Sequence, residues 1–364
     1  MSPSRRQLLR AISGALVATP LAGCGAWRIG GSQPSVTVSA ARLPDGGPGA
    51  VAFDPHGRIL WQRRLPARCH GGCPTPDGAG VVLFERRPGW RAYVLDLHTG
   101  ESLAQLPLAK QEHFYGHGVF SPAGDRLYAT VNHYGTGTGR VAVYDARNGY
   151  RRLGHIDLNG IGPHEIVLNP VDDTLVVALG GIETHPDYPR LKLNVDTMDP
   201  ALLVIDRHNG ALIARHRPSH HQLSCRHLAV SPAGRVWVGY QYQGPSHYQP
   251  PLMARLAGNQ MLEVALPETI QRGLDNYIAS VAICPLTGQV AMTAPRGGTT
   301  LILDDRAAEL LRTVSIPDCA GVHGAPAGGF LLTSGEGAMV RLHPDGRSEA
   351  LTTAPCRWDN HLIA

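Results

Sequence analysis

An internal repeat constrains this chain more than any other feature. The segments VLDLHTG (94–100), VYDARNG (143–149) and VIDRHNG (204–210) share one ending, in which a Val, an apolar residue and an Asp are followed four residues later by Gly. Such an Asp accepts hydrogen bonds from the amides of a tight turn, and the Gly supplies the positive φ that closes a hairpin. A second phrase recurs upstream of these turns: GHGVFSPAG (116–124) and CRHLAVSPAG (225–234) both set a His four residues before Ser-Pro-Ala-Gly. The chain therefore reads as copies of one unit: a short strand after a His, a turn, a second apolar strand, a third ending in the Asp turn, and a fourth.

Six complete units start near residues 68, 115, 161, 223, 276 and 319. After the sixth, RWDNHLIA supplies only one strand, while SVTVSAAR, GAVAFDPHG and RILWQRRLP supply three at the other end. Radial closure removes exposed sheet edges, and a blade shared between the two ends ties them together. The expectation is an all-β, seven-bladed β-propeller over residues 35–364, with a split ring-closing blade. The 43 Gly and 29 Pro, with 43% hydrophobic residues, suit many short strands and turns.

In a propeller the first strand of each blade lines the central channel. His70, His117, His164, His227, His323 and His361 start these strands, and Ser280 takes the equivalent place in the fifth blade. With 18 His in 364 residues, chance does not fill six of seven equivalent positions. One reading is structural: Gly116-His117 matches the packing dipeptide of WD-type propellers, although the partner Trp is missing and Cys69, Pro163 and Arg226 precede other copies. The other reading is a metal site, since neutral imidazoles converging on a channel axis suit iron, copper, zinc or nickel.

An insertion, GGIETHPDYPRLKLNVDTMDP (180–200), falls between the second and third strands of the third blade and is too long for a hairpin. Glu183, His185, Asp187, Tyr188, Lys192 and Asn194 make it rich in ligating and hydrogen-bonding groups, as a loop capping the channel mouth would be.

The N-terminus reads as an address. Arg5 and Arg6 precede a short apolar run and LAGC, ending at Cys24, in the order of a twin-arginine export signal (1–23) joined to a lipobox, with a linker over 24–34. The expectation is a periplasmic protein touching a membrane only through a lipid on Cys24. Arg5, Arg6 and Arg10 account for most of the excess of 33 basic over 29 acidic residues, so the remainder has no basic footprint for nucleic acid. The six other cysteines, Cys69, Cys73, Cys225, Cys284, Cys319 and Cys356, have disulfides open to them in that compartment. CHGGC (69–73) has the wrong order for covalent haem attachment.

Enzyme motifs are sparse. HEIVL (164–168) lacks the second His of a zincin helix, and there is no Gly-x-Ser-x-Gly elbow. A propeller lactonase or oxidoreductase remains as an alternative, with His164, Glu165, Arg226 and His227 as its polar groups; a protein-interaction scaffold is a further one.

Together GHGVFSPAG, IGPHEIVL, GGIETHPDYPRLKLNVDTMDPALL, LSCRHLAV, NYIASVA and the closing WDNHL resemble the domain of unknown function 1513 family. The resemblance implies an exported bacterial propeller similar to the tyrosine-valine-threonine-asparagine repeat propellers, from loci that handle iron. It implies periplasmic iron-uptake partners of imelysin-like and dihaem oxidoreductase-like type and favours metal handling; taken with the histidines, the expected cofactor is iron, haem or copper. It supplies no established catalytic residues.

Overall fold

The computed structural model describes residues 35–188, 191–351 and 355–364. The export signal, the linker and Cys24 lie outside the described residues. The described chain forms seven antiparallel four-stranded sheets from strands β1 to β28. Strands β1–β3 (Thr37 to Arg64) join β28 (Arg357–Ile363) in one sheet. The six other blades are β4–β7 (Cys69 to Gln105), β8–β11 (Glu112 to Asp157), β12–β15 (Pro163 to His216), β16–β19 (Leu223 to Glu263), β20–β23 (Ser280 to Ser315) and β24–β27 (Cys319 to Ala350). The seven-bladed propeller with its split blade is thus the observed architecture.

The Asp turns behave as their chemistry requires. The Oδ1 of Asp96 accepts from the amides of His98 and Thr99 at 2.9 and 2.8 Å, and Gly100 closes that turn at φ 70°. Burial follows position in the blade. The second strands β5 (Gly80–Glu85), β13 (Thr174–Leu179) and β17 (Val236–Tyr242) are buried throughout, because both faces lie against neighbouring blades. The outermost β11 (Arg151–Asp157) alternates between exposed and half-buried positions, with one face in water.

The closing blade is joined by backbone and side chains. Val38 pairs with Ile363 and Arg42 with Arg357, and the Ser39 hydroxyl donates to the His361 carbonyl at 2.8 Å. Trp358 meets Phe53 edge-on, ring centroids 5.1 Å apart. All six described cysteines are buried free thiols, so the disulfides open to them on sequence grounds are not formed. Strand β4 (Cys69–Pro74) sets Cys69 opposite Glu85 and Cys73 opposite Val82, too far along an extended chain to be bridged. Burial pushes up the thiols of Cys69, Cys73, Cys225, Cys319 and Cys356, the last two to about 11, which keeps them unreactive.

Candidate functional site

Irregular pairing at the channel wall places the histidines. In β4 the register breaks between Cys69 and Gly72, releasing His70. In β8 (Glu112–Phe120) it breaks between Phe114 and Gly118, releasing His117. In β12 (Pro163–Asn169) the released residue is His164, and in β16 (Leu223–Val230) it is Arg226, with His227 next. On β28 the break covers Asp359 to His361. A bulge re-aims the side chains it frees. Here it turns His70, His117, His164, His227 and His361 into one cluster, with centroids of touching rings 4.7–6.2 Å apart.

His323, the sixth predicted member, does not join them. The break in β24 (Cys319–Gly324) falls between Cys319 and Gly321 and frees Ala320, three residues before His323. His323 instead faces a cavity of about 200 Å³ that it lines together with Glu165, Ser280 and two members of the cluster, His117 and His361. Strand β20 (Ser280–Ile283) pairs without a break from Ser280 onward.

Two glycines permit the crowding. A Cβ on Gly71 would stand 2.7 Å from the His117 ring, and one on Gly116, at φ 111°, would stand 2.7 Å from the His70 ring. His117 has Glu165 as its acidic neighbour, at 3.7 Å, rather than a turn Asp, so the WD-type packing role does not apply to it.

Hydrogen bonds on the outer side of the cluster hold two of its rings, His227 and His361. Oε2 of Glu165 accepts from the Leu228 amide at 3.1 Å, so the His227 Nδ1 at 3.1 Å from the same oxygen is the protonated nitrogen. Ser280 Oγ sits 3.0 Å from His361 Nδ1. Each of the five imidazoles retains one buried nitrogen without a partner: Nε2 of His117, His227 and His361, and Nδ1 of His70 and His164. Burial holds all five far below the usual histidine value, His117 and His227 at about 3, so the rings are neutral at neutral pH. Burial raises Glu165, opposed by His117 and the Leu228 amide.

Neutral imidazoles with buried, unpartnered nitrogens have the donor chemistry that could hold a metal ion. Two triads share His117: His70, His117 and His361, and His117, His164 and His227. In each, one ligand atom per residue lies within 4.8 Å of the others. Donors on a single ion with bonds of about 2 Å stand about 3.3–4 Å apart, a spacing that modest ring rotation reaches.

On one side the cluster floors an open cavity of about 470 Å³, with His70, His164 and His227 at its base. Of the predicted insertion residues, only Lys192 lines it. Asn194 instead ties the loop to itself, accepting from the Glu183 amide at 2.7 Å and donating to the Gly181 carbonyl at 2.9 Å. His185 pairs with Asp187 and lies against Tyr134, and Tyr188 is exposed. Sequence reasoning did not place Glu165 among the ligand-holding residues, although it follows His164 directly. It also missed Arg86, Arg87 and Arg296, which nothing local distinguishes from other surface arginines.

Fold and site together define a seven-bladed propeller whose channel is plugged by a buried histidine cluster. The chain belongs to the family described as "Protein of unknown function (DUF1513)", whose model matches residues 63–364. Among solved structures it is similar to hydrazine synthase of Kuenenia stuttgartiensis, with TM-score 0.59 and 15% identity over 86% of this chain and 95% of that one. It is similar also to Sqt1 of Saccharomyces cerevisiae, with TM-score 0.60 and 11% identity over 88% and 87%. BamB of Moraxella catarrhalis gives TM-score 0.51 and 12% identity over 87% and 82%. At these identities the likeness concerns the fold alone. No curated protein sequence matches the chain.

Proposed function

We propose that this chain is an exported binding protein, anchored through a lipid on Cys24, whose channel histidines take up a transition metal ion. The observation that carries the reading is the set of five buried, neutral imidazoles, each with an unpartnered nitrogen. An unpaired buried polar atom costs about 1–3 kcal/mol, and five at one place are best accounted for by a shared acceptor. Glu165 behind His117 and His227, and Ser280 behind His361, supply the outer partners that orient histidine ligands. All-nitrogen donors suit iron(II), copper, zinc or nickel. Haem would engage one or two imidazoles and leave the others unpaired, so a bare ion suits the cluster better.

Arg5, Arg6 and the LAGC segment support export to the periplasm, and the family resemblance directs the search for partners to imelysin-like and dihaem oxidoreductase-like proteins. Hydrolysis is the second reading, favoured by Glu165, Arg226, His164 and His227 meeting at the channel; turnover of simple lactones by the metal-loaded protein would support it.

Elemental analysis of protein exported by its native route tests the main reading. The expectation is about one metal ion or more per chain, lost on His117→Ala and His227→Ala. Folded, metal-free protein that takes up none of added iron, copper, zinc or nickel would refute it.

A further inference from the structure

The cavity above the histidines carries a second chemistry. Its wall holds five permanent cations from four parts of the fold: Arg86 and Arg87 after β5, Lys192 from the insertion, Arg226 from the β16 bulge, and Arg296 after β21 (Gln289–Ala294). Among the described residues no carboxylate lines it. Arg86 has Asp359 at 3.7 Å, but among the described residues no carboxylate lies within ion-pair distance of Arg87, Lys192, Arg226 or Arg296. The Nε of Arg226 is buried with no partner. Burial and the neighbouring Arg87 push Arg226 down to about 10, and burial followed by Arg226 and Arg296 lowers Lys192.

Two of the guanidiniums have aromatic support. Arg296 lies 4.3 Å from the ring centre of Tyr277, and Arg87 lies 5.7 Å from that of Tyr115. Stacking of this kind holds a guanidinium by its face and leaves its N–H edge free for an oxyanion. In a chain of nearly balanced charge, gathering such cations without counterions costs self-repulsion and desolvation. The missing element is a negative ligand.

We propose that this vestibule binds a small multivalent oxyanion, one carrying two or more carboxylate or phosphate groups, between Arg87, Lys192, Arg226 and Arg296. This site stands whether or not the histidines below hold a metal. If they do, the anion sits where it can supply oxygen ligands or arrive as the carrier of the ion.

The test uses metal-free protein, checked by elemental analysis, and calorimetric titration with citrate, with pyrophosphate, and with acetate as the monovalent control. One citrate or pyrophosphate per chain is expected, with acetate far weaker. The affinity should fall as salt rises. Arg226→Gln should weaken binding roughly ten- to a hundred-fold, the ordinary effect of losing a hydrogen bond to a charged group. Arg296→Gln, at an exposed position, should act in the same direction and keeps the test sound if the buried variant fails to fold. Preference for citrate assigns the carboxylate class and preference for pyrophosphate the phosphate class. Binding of neither probe at millimolar concentration, or binding unchanged in both variants, overturns the proposal. Because no metal is present, these outcomes are independent of whether the histidine cluster binds one.

Discussion

Mild acid should destabilise the metal-free propeller through its histidines. Burial depresses the folded values of His70, His117, His164, His227 and His361, whereas in the unfolded chain each returns to about 6.5. The unfolded state then binds more protons than the folded one, so stability present above about pH 6.5 is lost as pH falls toward the folded values. For His117 and His227, held at about 3, the loss is about 1.4 kcal/mol per pH unit once the unfolded imidazole is fully protonated. Between pH 7 and pH 5 this amounts to about 2 kcal/mol for each. His70, His164 and His361 shift in the same direction and add to this loss. Depressed carboxylates such as Asp173 titrate below about pH 4 even when unfolded and do not enter this window. The raised Glu165 and Asp318 act in the opposite sense, whereas the lowered His113, His216 and His323 act with the five. Urea unfolding followed by circular dichroism at pH 7, 6 and 5 measures the effect. The midpoint should fall steeply, and His227→Gln should make the dependence shallower by about one proton. Equal stability at pH 7 and pH 5 would show that the histidines are not buried as a neutral cluster.

Glu165→Gln, which replaces the carboxylate behind His227 and Leu228 by a neutral amide, should lower metal affinity about 10- to 100-fold in a chelator competition while the far-ultraviolet spectrum is retained. Gly116→Ala places a methyl group against His70 at a positive φ, so a thermal melt should show a loss of more than 1 kcal/mol together with weaker metal uptake. Trp358→Ala opens the seam of the split blade and should cost about 3–5 kcal/mol in urea titration. Replacing residues 183–198 by a short Gly-Ser linker should leave the propeller folded by circular dichroism but weaken citrate binding through the loss of Lys192; global unfolding would contradict the view of the insertion as an accessory to the mouth.

Much of this molecule is legible in its sequence because propeller grammar is local. The Asp turns at Asp96, Asp145 and Asp206 are made by side chains within a few residues of the amides they bind, so they announce themselves in order along the chain. The predicted unit starts lie within four residues of the observed first strands. The split blade follows from simple counting, since one strand is left at the C-terminus and three at the N-terminus. Histidines at the start of successive first strands are likewise a matter of period.

Which of those histidines meet is not a matter of period. That depends on bulges, and a bulge displaces the register by one residue without leaving a clear mark in composition. His323 stands only two residues before Ala-Pro-Ala-Gly, where His227 stands four before Ser-Pro-Ala-Gly, and the break in β24 frees Ala320, three residues before His323, leaving His323 out of the cluster. Glu165 joins His117 and His227 from a different blade, a contact across 62 residues from His227 that the pair His164-Glu165 alone does not disclose. The cations of the vestibule come from four separate elements and share only a place in space. The sequence alone therefore determined the ring, its seven blades, its closure and the residue type lining its channel. Tertiary structure decided the membership of the cluster, its hydrogen-bond partners and the charge of the mouth above it, because aim, burial and counter-charge are properties of neighbours that the chain brings together only by closing.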